Sequence, residues 1–200
     1  YKYALVIGSE KMSEIVNWKD RSVCVLFGDG AGAVVLKAVD NNTEDDTGVS
    51  VGHERGIIDS NIYNDGTGAS VLTGGRRFSD SCSTDIFIHM DGQEVFKFAV
   101  KSVPTAIETL LHNNNMDVND VDKFILHQAN VRIIESVAKR LKADKDKFPV
   151  NLNEYGNTSS ASIPILLDEL NRNGSLKQGE KLVLAGFGAG LSWGSILLVW

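Results

Sequence analysis

The chain has 200 residues, 42% of them hydrophobic and 8% aromatic. That is enough to bury the core of one domain or of one and a half small ones, and too apolar for a disordered or collagen-like chain. Twenty Lys and Arg against 26 Asp and Glu give a net charge of −6, with no long basic stretch, which argues against nucleic acid as a partner. No apolar run approaches the ~20 residues of a membrane span. The start at Tyr1-Lys-Tyr-Ala-Leu-Val-Ile7 lacks an initiator Met and the marks of a signal peptide, and reads as mid-protein. Cys24 and Cys82 fit neither a metal-ligand spacing nor a disulfide framework. A soluble, cytoplasmic protein without a membrane or nucleic-acid partner is expected.

Glycine punctuates the chain. Tyr3–Ile7 and Ser22–Phe27 are short apolar runs closed by Gly8-Ser9 and by Gly28-Asp-Gly-Ala-Gly32, and both read as buried strands. Ala33–Val39 is a third, so the intervening glycines read as a hairpin or bulge. The acidic stretch from Asp40 to Gly48 then marks a boundary. Gly52–Asp80, rich in glycine, reads as a mostly irregular functional loop. From Glu94, apolar residues recur at helical spacing through Leu111, with Pro104 expected to kink or restart the helix. Lys123–Leu126 reads as a strand, and Ile133, Ile134, Val137, Ala138 and Leu141 stripe the helix after it. Ala161, Ile165, Leu166, Leu167 and Leu170 mark another helix, ended by Gly174. Lys181–Ala185, a glycine loop and Trp193–Trp200 close the chain. The alternation implies a layered α/β fold.

Two motifs are decoys. Gly28-x-Gly30-x-x-Ala33 matches a dinucleotide fingerprint, yet that motif must open a helix and here a β-branched strand follows. Gly190-x-Ser192-x-Gly194 spells a hydrolase elbow, but only six residues follow it, too few to supply the acid and His partners. The glycosylation patterns at Asn41 and Asn157 suit no cytosolic protein. No cluster of Asp, Glu, His or Cys offers a metal site.

Three segments carry more. His127-Gln-Ala-Asn130 lies where a strand gives way to a helix, the usual place for chemistry in α/β folds, although a capping or structural role is equally open. Asn157, in Gly156-Asn-Thr-Ser159, precedes a helix that Thr158 or Ser159 can cap, which leaves its amide free to donate. Gly186-Phe-Gly-Ala-Gly190 follows a strand, and its glycines would let backbone N–H groups approach a ligand oxygen. Together they suggest a site for negative charge on oxygen, as in thioester or enolate chemistry.

Phe27-Gly-Asp-Gly-Ala-Gly-Ala33, His127-Gln-Ala-Asn-Val-Arg132, Gly156-Asn-Thr-Ser159 and Gly186-Phe-Gly-Ala-Gly-Leu-Ser-Trp-Gly194 occur in that order, and with them the whole chain resembles the ketoacyl-acyl carrier protein synthase III family. The resemblance implies a thiolase-like fold, two related α/β halves in an α-β-α-β-α sandwich that pairs as a homodimer. Residues 1–40 then correspond to the end of the first half, 41–47 to a linker and 48–200 to the second half.

The implied activity is decarboxylative condensation of an acyl-CoA with a malonyl-acyl carrier protein (ACP), which starts fatty acid synthesis with no cofactor beyond these substrates. His127 and Asn157 would stabilise the enolate. Ala189 N–H, in the loop Phe187-Gly188-Ala189, would be an oxyanion donor and Phe187 an apolar wall. Gly92, Phe96, Asn130 and Arg132 would line the tunnel for the pantetheine arm and CoA, and Lys97, Arg132, Lys139 and Arg140 would dock the acidic ACP. The Gly52–Asp80 loop would help to shape the acyl pocket. The family's nucleophilic cysteine lies upstream of the segment resembling residues 1–9, so neither Cys24, placed in a buried strand, nor Cys82 is assigned that role, and the chain alone is expected to be inactive in condensation. The alternatives are a malonyl-ACP decarboxylase and an inactive ACP-binding paralogue.

Overall fold

The computed structural model describes residues 1–39, 55–74 and 86–200. The expected linker 41–47, the sequence at Asn41, Cys82 and part of the Gly52–Asp80 loop lie outside the described residues. The strands are β1 (Tyr3–Glu10), β2 (Gly30–Lys37), β3 (Gly56–Asn64), β4 (Leu72–Gly74) and β5 (Ile88–Met90), followed by β6 (Lys123–Leu126), β7 (Lys181–Gly188) and β8 (Ser192–Val199). The helices are α1 (Gly92–Asn113), α2 (Val131–Leu141), the single turn α3 (Leu152–Tyr155) and α4 (Ser162–Arg172).

A four-stranded sheet in the order β3-β8-β7-β6 organises the molecule, with β6 and β7 parallel and the other neighbours antiparallel. Strands β6 and β7 are apolar on both faces because both faces are covered there. Phe124, Leu126, Val183 and Leu197 point to one side, where they pack with Val103, Ile107 and Leu110 of α1 and with Ile134 and Val137 of α2. Ile125 and Leu182, one residue out of phase, point to the other side and meet Leu166, Leu167 and Leu170 of α4. The parallel register is pinned at its edge by the half-buried Lys123–Glu180 ion pair at 2.7 Å and by Lys181 N–H donating to Asp122 at 2.8 Å.

The antiparallel hairpin β1–β2 lies on the far side of α4. Glycine permits that approach: a Cβ on Gly32 would stand 2.9 Å from the Pro164 Cβ. The layers are therefore α1 with α2, the mixed sheet, α4 and the hairpin. The hairpin's outer face is uncovered among the described residues, with Leu5 and Ile7 each 60% exposed and Val35 67% exposed. The reading of Tyr3–Ile7 as a strand holds, but its burial does not.

Other expectations need correction. Ser22–Phe27 forms turns and no strand. Asp20 accepts the Ser22 backbone N–H at 2.9 Å and hydroxyl at 2.6 Å, and Val23 and Cys24 N–H bond back to the Asp20 carbonyl, so this backbone is satisfied locally. Val23 is buried with Met12, Val16 and Ile88, and Cys24 packs half-buried beside them. The supposedly irregular loop contains β3. Asn61 there accepts from the Ser195 N–H at 3.0 Å and hydroxyl at 2.7 Å and donates to the Ala106 carbonyl at 2.8 Å, so its polar alternation hides a strand with satisfied side chains. Pro104 lies inside α1, which continues through it as one helix capped by Asp91. The glycine loop at 186 is shorter than expected, because β7 continues to Gly188 opposite Ser192.

Candidate active site

A cavity of about 360 Å³ opens where β6 and β7 end. Its chemical wall is formed by His127, Asn130 and Asn157 with Phe187, Gly188 and Ala189, and the start of α1 adds Gly92 and Phe96. The facing wall is largely apolar and comes from elsewhere in the chain: Met12, Leu26 and Phe27, with Leu72 and Ile88 from the short β4–β5 pair. The structure thus brings together eight residues that sequence reasoning had picked from four separate segments.

His127 follows β6 directly, and its N–H continues the ladder to the Ala185 carbonyl at 2.8 Å. The side chain is half-buried, its open part facing the cavity, and enclosure pushes its pKa from 6.5 down to about 4. At neutral pH the imidazole is uncharged. Phe187 holds the ring edge-to-face, centroids 5.4 Å apart, and Phe98 packs against Phe187 in turn at 6.2 Å. The imidazole Nδ1 lies 2.6 Å from the Ser162 hydroxyl oxygen.

Asn157 is placed by the glycine motif that imitates a nucleotide loop. Its N–H donates to the Leu26 carbonyl at 2.9 Å, and Gly28 N–H donates to the Asn157 carbonyl at 3.0 Å, a parallel bridge between Phe27 and Asn157. A Cβ on Gly28 would come within 2.0 Å of the Tyr155 carbonyl oxygen, so only glycine lets the two segments meet. The Asn157 Oδ1 accepts the Ser159 N–H at 2.9 Å, which assigns the amide's orientation and leaves Nδ2 as a donor. The expected cap by Thr158 or Ser159 side chains is absent; Asn157 itself makes that turn with its oxygen.

Asn130 lines the cavity and also caps α2, accepting the Arg132 N–H at 2.8 Å. Arg132, Lys139 and Arg140 are exposed on α2 and do not line the cavity, and Lys97, exposed on α1, pairs with Glu94 at 2.7 Å. Cys24 is also outside the cavity wall. Ser192 begins β8 and donates to Asn64 at 2.7 Å, which is no strand-to-helix elbow. Among the described residues no group of three or more His, Cys, Asp or Glu is arranged to hold a metal ion, and no helix there is long and apolar enough to cross a membrane.

Sequence reasoning missed the supports. Ser162 is 2% exposed and Gln128 is 1% exposed. Gln128 donates to the Leu126 carbonyl at 2.8 Å and accepts the Asn151 N–H at 3.2 Å, while Asn151 donates to Glu169 at 2.8 Å. This chain of buried polar groups ties the His127 turn to α3 and α4. The signal was a Gln and a Ser beside the motif residues, and it is indistinguishable in sequence from ordinary helix-start chemistry.

A mixed sheet between helical layers, with a second β layer beyond the helix on its inner side, is a thiolase-like α/β arrangement. Two models of one family match the chain: 3-oxoacyl-ACP synthase III over residues 1–66 and its C-terminal domain over residues 111–200. The chain belongs to the 3-oxoacyl-ACP synthase III family. It is 45% identical over 206 aligned residues to the β-ketoacyl-ACP synthase III of Clostridium acetobutylicum, covering 100% of this chain and 59% of the relative. The crystal structure of the synthase III from Aquifex aeolicus matches at 40% identity and TM-score 0.86, covering 100% of this chain and 58% of that one. The Thermus thermophilus enzyme matches at 37% and 0.87, with 100% and 59% covered. The chain therefore spans about three fifths of the length of the curated relatives it matches.

Proposed function

We propose that this chain forms the enolate-stabilising wall of a β-ketoacyl-ACP synthase III, which condenses an acyl group taken from acyl-CoA with malonyl-ACP at the start of fatty acid synthesis in the cytoplasm. The observation that carries the reading is that His127 and Asn157 line one cavity, the first neutral at pH 7 and the second with its amide N–H₂ left as donor. Loss of carbon dioxide from a malonyl thioester breaks a C–C bond and leaves its electron pair on the enolate, with negative charge on the thioester oxygen. Two neutral N–H donors stabilise that oxygen more in the transition state than in the ground state, which is what accelerates the step. The enolate carbon then attacks the acyl thioester, and Ala189 N–H serves the oxyanion formed there.

Phe187, edge-on to His127, supplies an apolar surface that favours the departure of a carboxylate as neutral carbon dioxide. Gly92, Phe96 and Asn130 line the path of the pantetheine arm, Arg132 stands at its mouth, and Lys97, Lys139 and Arg140 extend a docking rim for ACP. Cys24 does not line the cavity, and in this reading neither it nor Cys82 is the acyl acceptor; that role belongs to the nucleophilic cysteine that the family carries upstream of the segment resembling residues 1–9. Residues 1–40 close the first half of the fold and residues 48–200 make the second, and the enzyme works as a homodimer. The chain by itself does not condense.

The test measures carbon dioxide release from malonyl-ACP by the full natural gene product. His127→Ala and Asn157→Ala each lower that rate by about 100- to 1,000-fold, the usual cost of one oxyanion donor, while acyl transfer from acyl-CoA continues. Undiminished decarboxylation by His127→Ala sinks the reading.

A further inference from the structure

We propose that Ser162 is a positioning residue that fixes the tautomer of His127, its hydroxyl donating to Nδ1 so that the ring hydrogen sits on Nε2 and faces the cavity. This rests on the reading of His127 as a donor, and it follows from counting hydrogens. The Ser162 oxygen is 2.6 Å from His127 Nδ1 and 3.3 Å from the backbone nitrogen of Gln128. The Gln128 N–H can only donate, so it occupies a lone pair of the hydroxyl. The hydroxyl then has one hydrogen to place, in a site where Ser162 is 2% exposed. Among the described residues, His127 Nδ1 is its only acceptor in reach.

The opposite arrangement, with the hydrogen on Nδ1, would make the oxygen accept twice and leave the buried hydroxyl hydrogen without a partner, at a cost of about 1–3 kcal/mol. Protonating the ring would break the same bond, so Ser162 opposes imidazolium in addition to burial. Three constraints converge on one imidazole orientation: Ser162 at Nδ1, the edge contact with Phe187, and the backbone bond from His127 N–H to Ala185. Nε2, across the ring from Nδ1, is the nitrogen left for the cavity. The helix start contributes without its dipole: Ser162 opens α4, and the same fold feature that ends the Asn157 turn delivers the hydroxyl to His127.

The experiment is ¹⁵N spectroscopy of the imidazole in the full natural gene product at neutral pH, with ¹⁵N-histidine incorporated and His127 assigned by comparison with His127→Gln. Nδ1 is expected to resonate as an unprotonated, hydrogen-bonded nitrogen and Nε2 as a protonated one. Ser162→Ala should shift Nδ1 toward a free nitrogen and admit the other tautomer, and Ser162→Thr, which restores a hydroxyl, should return the original signature. In decarboxylation, Ser162→Ala should lower kcat about 10- to 100-fold with KM little changed, as for other partners that orient a histidine from behind, and Ser162→Thr should recover most of it. A protonated Nδ1 in the natural protein, or a signature identical in Ser162→Ala, overturns the proposal. Neither result depends on turnover, so each is distinct from failure of the enolate reading, which shows as undiminished decarboxylation in His127→Ala.

Discussion

The strands β6 and β7 of the main sheet and the hairpin β1–β2 are written in similar residues and meet opposite fates. Phe124, Ile125, Leu182 and Val183 are all at 0% exposure, whereas Leu5, Ile7 and Val35 are at 60% or more. Apolar β-branched runs specify a strand; they do not specify which face is covered, because cover comes from elements distant in sequence. Function follows the same division. The enclosed sheet ends in His127 and Phe187, whose environment is dry enough to change a pKa. The hairpin contributes no reacting group, but the turns between its strands present Leu26, Phe27 and Gly28, which hold the Asn157 backbone.

The sharpest test of that contrast is paired truncation. Phe124 is fully buried and stacked on Phe148 with centroids 4.6 Å apart, so Phe124→Ala should cost about 3–5 kcal/mol in denaturant unfolding. Leu5→Ala removes a side chain already 60% exposed here and, in the 200-residue chain, should stay within about 0.5 kcal/mol. Equal losses would mean that something covers the hairpin in solution, and the comparison would break at that point.

Much of this was legible in the sequence. The helices α1, α2 and α4 and the strands β6 and β7 announce themselves by period and glycine, and the motif residues of the cavity lie at their ends. What stayed hidden is physical in origin. Ser22–Phe27 reads as a strand because its apolar residues are consecutive, yet the Asp20 side chain gives the backbone a local alternative. β3 reads as a loop because Asn61 looks exposed, when it is bonded to Ser195 and Ala106 across the fold. Gly28 is interpretable only once Tyr155 is beside it. Ser162 belongs to the same class, since its role depends on a residue 35 positions away.

A smaller effect checks the enclosure of His127 itself. The native state keeps this ring neutral down to about pH 4, while the unfolded chain protonates it near 6.5. Between those values the unfolded state binds more protons, so the contribution to stability is complete above pH 6.5 and is lost as pH falls toward 4, by up to about 3 kcal/mol. His127→Gln should flatten unfolding free energy across that window relative to the natural sequence. The carboxyls of Asp20, Asp29 and Asp65, held below their usual values by hydrogen bonds from Ser22, Ser13 and Thr67, act at lower pH. An unchanged slope in His127→Gln would show that the sheet's end is wetter than its cavity walls imply.

The smallest effect lies on the outer surface of the enclosed region, where α2 carries charge in place of the hairpin's apolar face. Arg132 stands in the first turn of α2, the wrong end for a cation beside a helix dipole, so the helix gains nothing from it there. Lys139 lies two turns further along the same exposed stripe, but Glu135 interrupts the stripe, which makes a weak basic patch and a short-range one. If α2 docks ACP as proposed, Arg132→Ala should raise KM for malonyl-ACP about 2- to 5-fold at low ionic strength, and Lys139→Ala less, through slower association. Neither should change kcat, and the Arg132 effect should fade by 0.5 M salt. An Arg132→Ala enzyme that instead loses kcat, independent of salt, would place the guanidinium inside the reaction path and move the boundary between the charged surface and the dry cavity inward.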